Sequence, residues 1–107
     1  MGTAGSFFKN PIITKEEASR LLVLYPAVPT YNTLENKVKI SLGYILDKVC
    51  HLKGYRVGKV RLFENQALVL VADLEATTAE IISFVKIIED EVYKKTAIKI
   101  FMEVTLI

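Results

Sequence analysis

The chain has 107 residues, the size of one domain and too few for two independent cores. Hydrophobic residues make up 51% of it, yet no apolar run approaches the roughly 20 residues that a membrane-spanning helix needs. The net charge of +2, from 14 basic and 12 acidic residues without a long run of one sign, selects neither nucleic acid nor a membrane as partner.

The number of cysteines and the N-terminal sequence indicate the cellular compartment of the protein. Cys50 is the single cysteine, which excludes an internal disulfide and a multi-cysteine metal site. The N-terminus lacks the basic segment and apolar core of a secretory signal. We therefore expect a cytoplasmic protein without a transmembrane segment.

The first predicted element is a flexible arm over residues 1–13, because its opening, Met1–Ser6, is small and polar. That opening also fits a tag remnant, or the short pattern for N-myristoylation. Thr14–Glu17 has the form of a capping box and predicts a short helix to about Tyr25. The prolines that follow stop this helix, so residues 14–31 are predicted as a short helix and a connector.

Residues 32–107 form the predicted core, in the order helix, strand, strand, helix, strand. Its first helix opens at a second capping box, Asn32–Glu35, and its apolar positions recur at spacings of four and three over Leu34–Leu52. Lys53–Gly54 ends it with a cation and a glycine able to take a left-handed cap. This period makes it the clearest helix in the chain.

Two strands, a helix and a last strand complete the predicted core. The ranges Val57–Phe63 and Ala67–Asp73 are aliphatic and flank a polar turn at Glu64–Gln66, which predicts an antiparallel hairpin. A third capping box starts a helix at Thr77, and the alternating segment Ala97–Ile107 predicts a final strand. That strand can pair antiparallel with the first strand or parallel with the second.

These elements predict an α+β fold, a two-layer sandwich with a three-stranded mixed sheet and helices on one face, in the order ααββαβ. Such a sheet leaves its other face open, and an open apolar face marks an interaction site. The interface candidates for that face are Phe63, Val69, Val71, Phe101 and Ile107. We expect them to join a homodimer, or to contact another protein.

Two alternatives compete with a non-catalytic homo-oligomeric interaction module. Arg56, Lys59 and Arg61 stand near aromatic residues, which suggests a single-stranded RNA-binding or ribosome-associated module, although the balanced charge favours an ordinary solvent-facing strand. A small enzyme with a site near Cys50 and His51 is the second alternative, but adjacent helical residues point in different directions. We therefore predict no enzyme activity, no catalytic or metal residue and no cofactor.

The run Val60–Val71, followed by the capped helix and Ile98–Val104, resembles the alkaline shock protein family, although the glycine usual there between the second strand and the helix is missing. The element order is also similar to the cytoplasmic dimerisation domain of cation-efflux transporters, although the acidic and histidine ligands expected there are absent. Neither family transfers an active-site residue. The resemblance implies a small, self-associating, non-catalytic module of unknown function.

Overall fold

A computed structural model describes residues 4–33, 35–63, 69–73 and 75–106. These residues form eight strands, three α-helices and one π-helical segment, which confirms the predicted α+β class. The predicted turn at Glu64–Gln66 and the interface candidate Ile107 lie outside the described residues.

The larger sheet has five strands in the order β5-β6-β7-β1-β8, and each strand is antiparallel to its neighbours. Its strands are β1 (Ala4–Phe8), β5 (Arg56–Val57), β6 (Val60–Leu62), β7 (Val69–Ala72) and β8 (Met102–Leu106). In β1, Ser6 lies opposite Leu70 of β7 on one side and Val104 of β8 on the other. The N-terminal strand therefore holds the two halves of the sheet together.

The predicted three-stranded mixed sheet is wrong, because we assigned the first residues to a flexible arm. Ala4–Phe8 instead lies between β7 and β8, so β8 pairs with neither of the strands that we expected. Alanine, glycine and serine have weak strand propensity, and pairing on both sides decides the conformation here. The predicted strand Val57–Phe63 is also divided into two by a turn at Gly58, whose φ is 58°.

The smaller sheet has three antiparallel strands in the order β2-β4-β3. They are β2 (Ile12–Thr14), β3 (Thr30–Asn32) and β4 (Lys37–Ile40). Within β4, Val38 and Ile40 are buried, whereas Lys37 and Lys39 are exposed. The sheet therefore has one face in the core and one in solvent, as period-2 alternation requires.

The predicted helix over Leu34–Leu52 is wrong. Part of it is strand β4, and the Ser41 side chain then caps a short helix, α2 (Leu42–Tyr44), which continues as a π-helix over Ile45–Val49. A strand that buries every second residue, followed by a helix, produces apolar spacings that also fit a single long helix. The predicted Asn32 cap lies in β3 instead.

The other two helices begin at the predicted capping boxes. In α1 (Lys15–Leu24) and α3 (Thr78–Thr96), the Thr14 and Thr77 side chains accept hydrogen bonds from the N3 backbone N–H groups. The carboxylates of the N3 glutamates in turn accept hydrogen bonds from the backbone N–H groups of the two threonines. None of the helices in the described ranges is long and apolar enough to cross a membrane.

One apolar core joins the two sheets and the helices. α3 contributes the stripe Phe84, Ile88 and Val92, and the sheet contributes Val60, Leu62, Leu70 and Ala72 from one face. Phe8, the last residue of β1, is 1% exposed and belongs to the same core. The N-terminal strand is thus part of the core as well as of the sheet.

We predict that Phe8→Ala lowers the free energy of unfolding by about 3–5 kcal/mol, because it leaves a cavity in the core at the end of the interior strand β1. Phe101→Ala is the matched control: its ring is 73% exposed, so the expected loss is below about 0.5 kcal/mol. Urea unfolding followed by far-UV circular dichroism measures both. Equal losses in the two variants would contradict the burial of Phe8 in the core.

Candidate functional site

A groove lies on the solvent-facing side of the three-stranded sheet. Ile12, Thr33, Glu35 and Lys37 line it, and its volume is about 580 Å³. Ligand sites typically occupy ~300–1,000 Å³, so the groove has room for a compact organic molecule. We call it the β4 groove.

A row of side chains continues from the β4 groove across the sheet. The strand register places Lys39 opposite Ile12 of β2 and opposite Tyr31 of β3. All three are exposed, with Tyr31 at 53%, because the alternate residues of β4 point into the core. A lysine and a tyrosine are thus cross-strand neighbours on the solvent-facing side, a combination suited to a ligand with both a phosphate and a planar base.

The turn between β3 and β4 has a defined shape. The backbone N–H and the Oγ1 hydroxyl of Thr33 both donate to the carbonyl oxygen of Lys37, at 3.1 and 3.0 Å. Asn36 takes a left-handed conformation with φ of 61°, which asparagine tolerates better than most residues. These contacts close the turn and hold Glu35 at the rim of the groove.

Two opposite charges line the β4 groove without neutralising each other. Within the part of the chain that the structure describes, neither the Glu35 carboxylate nor the Lys37 ammonium forms an ion pair or a side-chain hydrogen bond. Both remain available to a ligand. A ligand that fits must therefore present an anionic part and a hydrogen-bond donor.

No pattern in the sequence marked a residue of this groove, or Tyr31 and Lys39 beside it, as functional. Tyr31 was placed in the connector, and Lys37 and Lys39 in the predicted long helix. The alternation of lysine with valine and isoleucine at 37–40 was the available signal, since it has the period of a half-buried strand.

The interface candidates lie in two separate places. Phe63, Val69 and Val71 are half-buried on the face of the five-stranded sheet that points away from α3. Phe101 is 73% exposed and lines a groove of about 440 Å³ along α3, together with Ile82. The structure therefore brings three candidates together and separates Phe101 from them.

The three basic residues proposed for RNA each contact another group of this chain. Lys59 Nζ lies 3.6 Å from a Glu75 carboxylate oxygen, and a guanidinium nitrogen of Arg56 donates to the Gly58 carbonyl. The Arg61 guanidinium lies 6.0 Å from the centre of the Phe63 ring. Arg56 and Arg61 are cross-strand partners, so these two are adjacent, whereas Lys59 occupies the turn.

Cys50 and His51 follow the π-helix, and only the histidine is exposed. Burial raises the pKa of the Cys50 thiol to about 11, with a smaller contribution from the charge of Glu91. A nucleophilic cysteine has a lowered pKa, so this thiol is unsuited to that role. Among the described residues, no group of three histidine, cysteine or acidic side chains could hold a metal ion.

Comparison with known proteins adds a family. The model of the family described as UDP-N-acetylenolpyruvoylglucosamine reductase, C-terminal domain, matches residues 1–107. A reductase of that name from Pectobacterium atrosepticum is 39% identical over 99% of this chain, and one from Buchnera aphidicola is 40% identical over 100%. One from Wigglesworthia glossinidia brevipalpis is 40% identical over 99%. The chain spans only 30–32% of the length of these relatives.

These matches correct the predicted family and the predicted function. The resemblance to alkaline shock proteins and to cation-efflux dimerisation domains is wrong, since the whole chain matches a different family. The prediction of a non-catalytic interaction module of unknown function, with RNA binding as its alternative, is also wrong, because the relatives are named reductases. The prediction of no enzyme activity is wrong for the same reason. A homodimer or another protein partner stays a prediction.

We predict that Cys50 alkylates far more slowly in the native chain than in urea at pH 8, because the buried thiol is protonated.

The same thiol predicts a pH dependence of stability. The folded pKa of Cys50, about 11, exceeds the ordinary value of 9.0, so the contribution of this thiol to the free energy of unfolding is complete below pH 9 and is lost as the pH rises through 11. Thermal unfolding over this range should show a smaller pH-dependent loss for Cys50→Ala than for the parent chain. Fast native alkylation would contradict the burial.

Proposed function

The chain belongs to the family of UDP-N-acetylenolpyruvoylglucosamine reductase C-terminal domains, and from this premise we propose that it supplies part of the substrate site of such a reductase. The observation that carries the proposal is the match of the family over residues 1–107. We also propose a cytoplasmic location, which the single buried, free cysteine supports.

The substrate named for the relatives has chemically distinct parts. A uridine diphosphate brings a planar base, a ribose with two hydroxyls and two anionic phosphates. An N-acetylated sugar and an enolpyruvoyl group, with a carboxylate and a carbon–carbon double bond, complete it. A binding site for this molecule needs cations, an aromatic surface and hydrogen-bond acceptors.

We place the uridine diphosphate part in the β4 groove. Lys37 and Lys39 lie on the same face of one strand, and each can donate to a phosphate oxygen. Tyr31 is directly opposite Lys39 and offers its ring to the base. The groove is about 580 Å³ and open to solvent on one side, so we assign only the nucleotide part of the substrate to it.

We propose that this domain binds the substrate and that the rest of such a reductase supplies the hydride. Saturating a double bond takes a hydride and a proton, and we assign the binding and orientation of the nucleotide to residues of this chain. The relatives are about three times as long as the chain, so we assign the delivery of the hydride to the portion that it does not match. The interface between the two parts must then hold the enolpyruvoyl double bond next to the hydride donor.

The exposed apolar side chains along α3 support a protein contact. Ile82 is 62% exposed, Tyr93 51% and Phe101 73%, and large contiguous apolar patches mark interaction sites. We propose the rest of the reductase as the partner, because a substrate held here must meet the group that reduces it. Self-association through the same surface is the competing proposal.

We predict that the chain binds UDP-N-acetylglucosamine and that Tyr31→Ala and Lys37→Ala each weaken binding by about tenfold, the loss expected for one charged or stacked contact. Isothermal titration calorimetry measures the affinity, and ¹H–¹⁵N spectra of the same samples show whether the shifts fall in β3 and β4. Lys48→Ala is the matched control: its side chain is 65% exposed and 4.0 Å from Asp47.

A folded chain that does not bind the probe would contradict the proposal, as would equal losses in the Lys48 control. A chimera extends the test to catalysis: this chain replaces the matching third of the Pectobacterium reductase. We expect the chimera to reduce the substrate and the Lys37→Ala chimera to show a raised KM with little change in kcat, because the lysine acts on binding.

A further inference from the structure

The groove along α3 combines apolar walls with two carboxylates. Phe101, Glu89 and Asp90 line both of its ends, whose volumes are about 440 and 270 Å³, so the two ends form one depression. The wider end adds the aliphatic side chains of Ile81, Ile82 and Val85, and the narrower end adds Tyr93. We call this depression the α3 groove.

The carboxylates of the α3 groove have no ion-pair partner among the described residues, although Lys86 and Lys99 line its opposite ends. Burial raises the pKa of the half-buried Glu89 carboxyl, the charge of Asp90 raises it further, and the charge of Lys86 opposes these effects to a smaller extent. An approaching cation stabilises an ionised carboxylate in such a place. The groove therefore favours a partner that brings a positive charge to its middle.

The order of the side chains along α3 defines the shape of that partner. Ile82, Glu89 and Tyr93 are spaced by seven and four residues, so they lie on one side of the helix and span about 16 Å along its axis. Ile82 at one end and Tyr93 at the other are both more than half exposed. A complementary segment therefore carries large apolar side chains at its two ends and a cation between them, over about three turns of helix.

We infer that the α3 groove is the docking site for the part of the reductase that this chain does not match, and that this part presents a lysine or arginine between two large apolar side chains. This inference rests on the proposed function and deepens it, because it names the chemistry of the partner. The chain spans only 30–32% of the length of its relatives, so most of such a reductase lies outside it. Interfaces between domains of one chain are more polar than those of obligate dimers, and the mixed apolar and charged lining of the groove has that character.

The chimera with the Pectobacterium reductase tests the contact through a cysteine placed in the groove. Ile82→Cys should be alkylated about tenfold more slowly in the chimera than in the isolated chain, the protection given by a contact that is formed about nine-tenths of the time. Val23→Cys is the matched control: Val23 is 82% exposed in the last turn of α1 and does not line the groove, so its rate should stay the same. Mass spectrometry of the labelled peptides measures both rates.

The same chimera tests the charge of the partner. The double variant Glu89→Gln, Asp90→Asn keeps the shape of both side chains and removes their charges, so alkylation at position 82 should become about tenfold faster and approach its rate in the isolated chain. High salt should act in the same direction, because it screens a partly exposed ion pair. Glu91→Gln is the matched control, since Glu91 is the next residue on α3 and does not line the groove.

The outcomes separate this inference from the proposed function. Equal rates at position 82 in the isolated chain and in the chimera overturn the contact, and the Buchnera reductase is the second host if the first chimera does not fold. Slow alkylation that neither the double variant nor salt changes overturns the cation. Protection of position 82 in an isolated chain that sediments as a dimer assigns the groove to a second copy and overturns the inference. Alkylation needs no substrate, so failure of the chain to bind UDP-N-acetylglucosamine overturns the proposed substrate site alone.

Discussion

The structure depends on the pairing of the N-terminal strand with two neighbours. Residues 4–7 of β1 pair with β7 and residues 4–8 pair with β8, and those two neighbours do not pair with each other. Every backbone hydrogen bond that joins the last strand to the rest of the five-stranded sheet therefore passes through residues 4–8. The same strand ends in Phe8, which is buried against the core, so sheet and core are completed together.

The segment that follows β1 sets the position of the second sheet. The side-chain oxygen of Asn10 accepts a hydrogen bond from the Leu42 N–H at 2.9 Å, and the Pro11 carbonyl accepts one from the Ile40 N–H at 3.0 Å. These two hydrogen bonds connect the residues that follow β1 to the C-terminal end of β4. Because β4 carries Lys37 of the groove and Lys39 beside it, these bonds connect the candidate site to the strand that joins the two halves of the larger sheet.

The groove and the apolar surface of α3 have different chemistry. The groove is shallow, its two charges have no partner among the described residues, and Tyr31 lies beside it, features that suit a polar ligand held at a solvent-facing surface. The α3 surface exposes isoleucine, tyrosine and phenylalanine, which suits a protein neighbour. Under the proposed function, the groove holds the nucleotide end of the substrate and the α3 surface contacts the rest of the reductase. This division agrees with a chain that spans less than a third of the length of its relatives.

Local patterns in the sequence determined those elements whose signals are contained in a few neighbouring residues. The capping boxes at Thr14 and Thr77 predicted the start of α1 and α3, because side chain and backbone satisfy each other within one turn. The aliphatic run predicted β7 for the same reason. Tertiary structure decided the rest: Ala4–Phe8 is a strand because partners lie on both sides, and Lys37–Ile40 is a strand because its buried residues face a core assembled from distant segments. The β4 groove depends on the strand at residues 37–40, because in a helix Lys37 and Lys39 would point to different faces.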